Sequence, residues 1–128
     1  MVNKRFVFRD FVGYSYAIYF LITGLWPLID INSFMEITGP KTDIWLVKTV
    51  GALVLPTGLL VLRASIIKKY NIEIILMALG AAIALLSIDL YYVFKDVISK
   101  VYLLDAFAET IFIICWIYLL KTKQAGPR

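Results

Sequence analysis

The sequence predicts an all-α integral membrane protein, a four-helix bundle with both chain ends in the cytoplasm (N-in, C-in). Three observations carry that prediction. Of 128 residues, 62% are hydrophobic, where soluble domains run nearer half. The excess is gathered into four runs, each long enough to cross ~30 Å of hydrocarbon at ~1.5 Å per residue. Basic residues then fall unevenly between the connections, as they do in proteins oriented by the positive-inside rule. One membrane domain over residues 1–128 accounts for the whole length.

The chain opens on MVNKRFVFRD, residues 1–10, a short basic tail whose Phe6 and Phe8 suit the headgroup boundary. No small-residue cleavage site closes the long apolar run that follows, so a removable leader is not expected. The first span covers roughly residues 11–29 and has no charge. Its Tyr16, Tyr19, Thr23 and Trp26 recur at helical spacing, which puts them on one polar-aromatic face. Pro27 helps to close the helix.

Residues 30–43, DINSFMEITGPKTD, are richer in signals than a plain loop. Ser33 and Glu36 fit a capping box, and Gly39-Pro40 is a stop. A short amphipathic segment over residues 31–39, lying at the interface, is the expectation; as a lid it would cover the outer end of the bundle. Thr42 or Asp43 is placed to cap the second span.

That second span covers roughly residues 44–62, with Lys48 near its start and Pro56 near its middle. Gly51 and Gly58 allow a neighbouring helix to approach closely. The third span, residues 72–94, contains Ala78, Gly80, Ala81, Ala82 and Ala84. Ala78 with Ala82, and Gly80 with Ala84, both have the small-xxx-small spacing of membrane helix interfaces. The fourth span, residues 101–120, carries Asp105 and Glu109 one helical turn apart. The tail from Lys121 is basic, rich in breakers and expected to be disordered.

Four alternating spans put both termini and the 63–71 turn on one side. Nine of the 13 basic residues lie there: Lys4, Arg5, Arg9, Arg63, Lys68, Lys69, Lys121, Lys123 and Arg128. That side is therefore expected to be cytoplasmic, in a bacterial inner membrane, with the lipid bilayer as the chain's first partner. The basic excess belongs to this distribution, so no nucleic-acid partner is expected.

Counting back from Lys121 places Glu109 about 18 Å from the inner boundary, and Lys48 about 7 Å below the outer surface. Asp105 lies one turn shallower than Glu109, and Asp89 near the outer boundary. A charge at mid-bilayer costs about 3 kcal/mol on the insertion scale. Glu109 must then face the bundle and either pair with a cation or hold a proton. Lys48 is the one basic residue within a span at comparable depth. The expected site is a polar cluster of Lys48, Asp89, Asp105 and Glu109, with Tyr19, Trp26 and Trp116 supplying aromatic surface. The opposing expectation is that these groups only tie helices together.

Several chemistries are excluded or disfavoured. The chain has no histidine and one cysteine, Cys115, so there is no intramolecular disulfide or C-x-x-C redox pair. The commonest haem and zinc ligand is missing as well. No metal, cofactor or catalytic residue is assigned, and the reading leans away from an enzyme.

The run ITGPKTDIWLVKTVGALVLPTGLLVLRA, with LITGLWPLI ahead of it, resembles small four-span membrane proteins of the DoxX-like group. That group is in turn similar to the EXPERA-type proteins, which bind or isomerise sterols. The resemblance implies four spans, an N-in orientation and acids gathered toward one end. Sterol isomerisation in that group depends on histidine, which this chain lacks. Small multidrug transporters match in size but carry their essential glutamate in the first span, where this chain has none. Vitamin K epoxide reductase-type proteins need a cysteine pair.

The functional expectation is a small membrane protein that binds a lipophilic or cationic molecule in an outward-opening polar cavity. The alternative is a non-catalytic accessory or assembly subunit whose small-residue faces receive a partner helix or a second copy of the chain.

Overall fold

Each apolar run becomes one helix, a form that satisfies its backbone groups within the segment. The computed structural model describes residues 4–125, with side chains over residues 7–123. In chain order it comprises α1 (Lys4–Ile29), α2 (Ile31–Thr38), α3 (Ile44–Ile67), α4 (Ile72–Phe94) and α5 (Tyr102–Ala125). No strand occurs among the described residues. All but α2 are long and apolar enough to cross a membrane. Their outward side chains are apolar too, Ile18, Leu53, Ile83 and Ile114 among them, as a lipid-facing surface requires.

Several boundaries differ from the sequence reading. α1 starts at Lys4, so the supposed basic tail is largely the first turns of the helix. Residues 1–3 and the Phe6 side chain lie outside the described residues. α3 runs to Ile67, where Lys68 takes a left-handed conformation (φ 60°) and its backbone N–H closes onto the Ala64 carbonyl. α5 continues helically to Ala125 in place of the disorder expected from Lys121; residues 126–128 are not described. The capping box at Ser33 is not formed. Asp30 caps α2, its carboxylate accepting the Ser33 backbone N–H at 3.3 Å. Asp43 precedes α3 but makes no side-chain cap bond.

The helices form two close pairs, α1 with α3 and α4 with α5, and the pairs meet through fewer contacts. Glycine sets the first pairing. A Cβ on Gly51 would stand 2.6 Å from the Gly24 carbonyl oxygen, and one on Gly58 would stand 3.1 Å from the Phe20 Cβ. Any side chain at Gly51 would therefore drive α1 and α3 apart.

An aromatic core joins the pairs. Tyr16 stacks on Phe20 with ring centroids 4.0 Å apart, and meets Phe112 and Trp116 of α5 edge-on at 5.3 and 5.6 Å. Its hydroxyl donates to the Ala78 carbonyl of α4 at 2.8 Å. Ala78 and Ala82 are fully buried here, and their small side chains are what let a tyrosine tip reach the α4 backbone. The second small pair behaves differently. Gly80 and Ala84 point away from the bundle, and a Cβ on Gly80 would meet nothing within 4 Å.

The two ends of the bundle are built differently. At the end shared by the start of α1, the 68–71 turn and the end of α5, Lys68 Nζ pairs with the Asp10 carboxylate at 2.8 Å. Tyr70 also donates to Asp10, at 3.4 Å, and Phe8 meets Tyr118 edge-on at 5.8 Å. At the opposite end α2 lies across the helix ends, beneath it a cavity.

Candidate functional site

The cavity occupies about 470 Å³, within the usual size of a small-molecule pocket. Each long helix contributes residues at helical spacing. α1 gives Tyr19, Ile22, Thr23 and Trp26; α3 gives Val47, Val50, Gly51 and Val54. α4 supplies Leu85, Ile88 and Asp89, and α5 supplies Tyr102, Leu104, Asp105 and Glu109. Phe34, Ile37 and Thr38 of α2, with Ile98 and Val101 of the 95–101 connection, complete the wall.

The cover is fastened at two edges. The Trp26 indole N–H donates to Ser33 Oγ at 2.8 Å, which ties α2 to α1. Lys41 Nζ donates to the Thr38 and Gly39 carbonyls at 3.2 and 3.1 Å. The same ammonium lies 5.0 Å from the centre of the Tyr102 ring of α5, inside cation–π range.

Three acids, Asp89, Asp105 and Glu109, stand in an otherwise mainly apolar wall. The Tyr19 hydroxyl on α1 donates to Asp105 Oδ1 on α5, bridging the two helix pairs. Thr23 spends its hydroxyl on the Tyr19 and Phe20 carbonyls of its own helix. Glu109 is 0% exposed and Asp89 5%. Both Glu109 oxygens and Asp89 Oδ2 are buried without a hydrogen-bond partner, an arrangement that native interiors seldom leave unmet.

Of the residues singled out from sequence, the structure brings Tyr19, Trp26, Asp89, Asp105 and Glu109 to this one cavity. It does not bring Lys48 there. Lys48 is exposed and makes no ion pair among the described residues. Depth along a helix does not fix the direction of a side chain. The α3 stripe facing the cavity runs through Val47, Gly51 and Val54, and Lys48 sits roughly 100° round the helix from it. The expected Lys48–Glu109 pair is therefore replaced by a glutamate without a cation.

Trp116 is also displaced from its expected role. It is fully buried against Tyr16 and Tyr70, in the aromatic core, and is not part of the cavity wall. Cys115 lies partly buried beside that core. Among the described residues no group of three or more acids and cysteines has metal-holding geometry.

Lys41 and Tyr102 were not singled out from sequence. Lys41 follows the Gly39-Pro40 stop and so reads as a loop charge; only the returning chain brings α5 beneath it. Comparison with protein-family models, with curated proteins and with solved structures returns no match for this chain.

Proposed function

We propose that this chain is a multi-pass protein of a bacterial inner membrane, with both termini cytoplasmic, that binds a lipophilic cation in the cavity beneath α2. The observation that carries the reading is Glu109, fully buried in a cavity wall with neither carboxyl oxygen partnered. An intramembrane ionisable group facing a cavity is by default a site. The remaining wall is mainly aliphatic and aromatic, and no Lys or Arg lines it. Such a lining favours a cation with an apolar body over an anion. The basic residues gathered at the end opposite α2 support the orientation, which places the cavity toward the outer surface.

The test is thermal stabilisation of the detergent-solubilised protein by hydrophobic monocations across a concentration series. Stabilisation should saturate in wild type and vanish in Glu109→Gln, which keeps side-chain size and removes the charge. A Glu109→Gln protein stabilised to the same degree would remove the site assignment.

A second reading, an accessory or assembly subunit, is favoured by one observation: the outward-facing Gly80 and Ala84 of α4. Small residues exposed to lipid leave room for a partner helix. The two readings are compatible, since that face and the cavity are separate. A likeness to DoxX-like proteins would agree with either.

A further inference from the structure

Resting on the cation-binding reading, we infer that the cavity selects cations that carry N–H donors, primary or secondary amines, over quaternary cations of equal charge and similar size. Three carboxyl groups line the cavity, but Asp105 already accepts from Tyr19. Three carboxyl oxygens are left buried and unpartnered: Oε1 and Oε2 of Glu109, and Oδ2 of Asp89.

The protein's own donors do not reach them. The Thr23 and Thr38 hydroxyls bond to carbonyls of their own helices. The Trp26 N–H is taken by Ser33, and Lys41 by Thr38 and Gly39. A carboxyl keeps acceptor lone pairs in either protonation state, so neutralising charge alone does not satisfy these atoms. A quaternary ammonium brings charge without a hydrogen-bond donor. A primary ammonium brings three donors, and charge-assisted bonds from it to carboxyl oxygens are about twice as strong as neutral ones. Sites built with unmet polar groups discriminate strongly against analogues that cannot fill them.

Two carboxyls on different helices also define where the donors go. Glu109 stands on α5 and Asp89 on α4, so one ammonium group held between them would bridge the α4–α5 pair. The aliphatic wall of Val50, Val54, Leu85 and Ile88 is left to the apolar body.

The experiment compares hexylammonium, N-methylhexylammonium and hexyltrimethylammonium against the full-length protein in one detergent, with Glu109→Gln as the background for micelle effects. Dissociation constants come from thermal-shift titration. The expected result is that hexylammonium and N-methylhexylammonium bind at least ten-fold more tightly than hexyltrimethylammonium. Asp89→Leu, which removes the acceptor oxygens at similar side-chain size, should weaken hexylammonium binding by a several-fold larger factor than hexyltrimethylammonium binding. Equal affinity for all three probes, lost in Glu109→Gln, would overturn the donor requirement and leave the cation site standing. Binding of none of them, or binding that survives Glu109→Gln, would overturn both. An Asp89→Leu protein that loses affinity for both head groups equally removes Asp89 as a donor-reading residue.

Discussion

The Tyr19 hydroxyl and the Asp105 carboxyl face each other from helices in different pairs, and their hydrogen bond is a polar tie between the pairs at the cavity. Removing the donor alone leaves Asp105 unmet in a largely buried place, which costs about 1–3 kcal/mol. Tyr19→Phe is therefore expected to lower the melting temperature in detergent. Tyr19→Phe with Asp105→Asn should be less than additive, because the two residues share one interaction. Fully additive effects would show that the two side chains do not meet. The same scale shows what the sequence revealed and what it hid. Helical spacing along 19, 23 and 26 made one face of α1 visible, and burial cost singled out Glu109. Lys48 failed because depth along a helix follows from counting, while direction depends on which stripe its neighbours cover. On α3 that stripe is set by Gly51 and Gly58 packing against α1.

Between elements, glycine and alanine decide how near two helices come, and one four-residue spacing has opposite consequences on two faces of α4, buried at Ala78 and Ala82 and exposed at Gly80 and Ala84. Gly51 is buried with the Gly24 carbonyl 2.6 Å from where its Cβ would be. Gly51→Val should cost about 1–3 kcal/mol as overpacking, read as a lower melting temperature. Gly80→Val, with nothing within 4 Å of the added Cβ, should melt as wild type does. It should also reduce any self-association or co-purifying membrane partner, measured by crosslinking in native membranes. A Gly80→Val protein that melts early would mean that α4 is turned otherwise. The four long helices were legible because a spanning run must be apolar throughout. Their ends were less so: the basic residues at 4–9 and 121–123 continue helices that hydropathy alone would stop. The α2 segment was legible as amphipathic, but its place over the cavity depends on the returning α5, many residues later in the chain.

Across the whole molecule, the two ends of the bundle are built differently. One end is locked by Lys68 on Asp10 and by the Phe8–Tyr118 contact. The other has a cavity under a short helix held by Trp26–Ser33 and by Lys41 over Tyr102. Lys41→Ala should therefore speed backbone hydrogen exchange across 34–39 and leave exchange of the 68–71 turn unchanged; an unchanged α2 would rule out Lys41 as a fastening. The proposed orientation rests on charge. Insertion favours leaving Lys and Arg in the cytoplasm, and Arg63, Lys68, Lys69, Lys121 and Lys123 all belong to the locked end. In a Cys115→Ser background, Glu36→Cys lies on exposed α2 and Lys69→Cys on the exposed turn at the far end. A membrane-impermeant maleimide should label the first in intact bacterial cells and the second only after lysis. The reverse pattern would invert the protein and turn its cavity toward the cytoplasm. Labelling of both in intact cells would indicate that the chain inserts in two orientations, in which case the cavity would open to both sides of the membrane across the population.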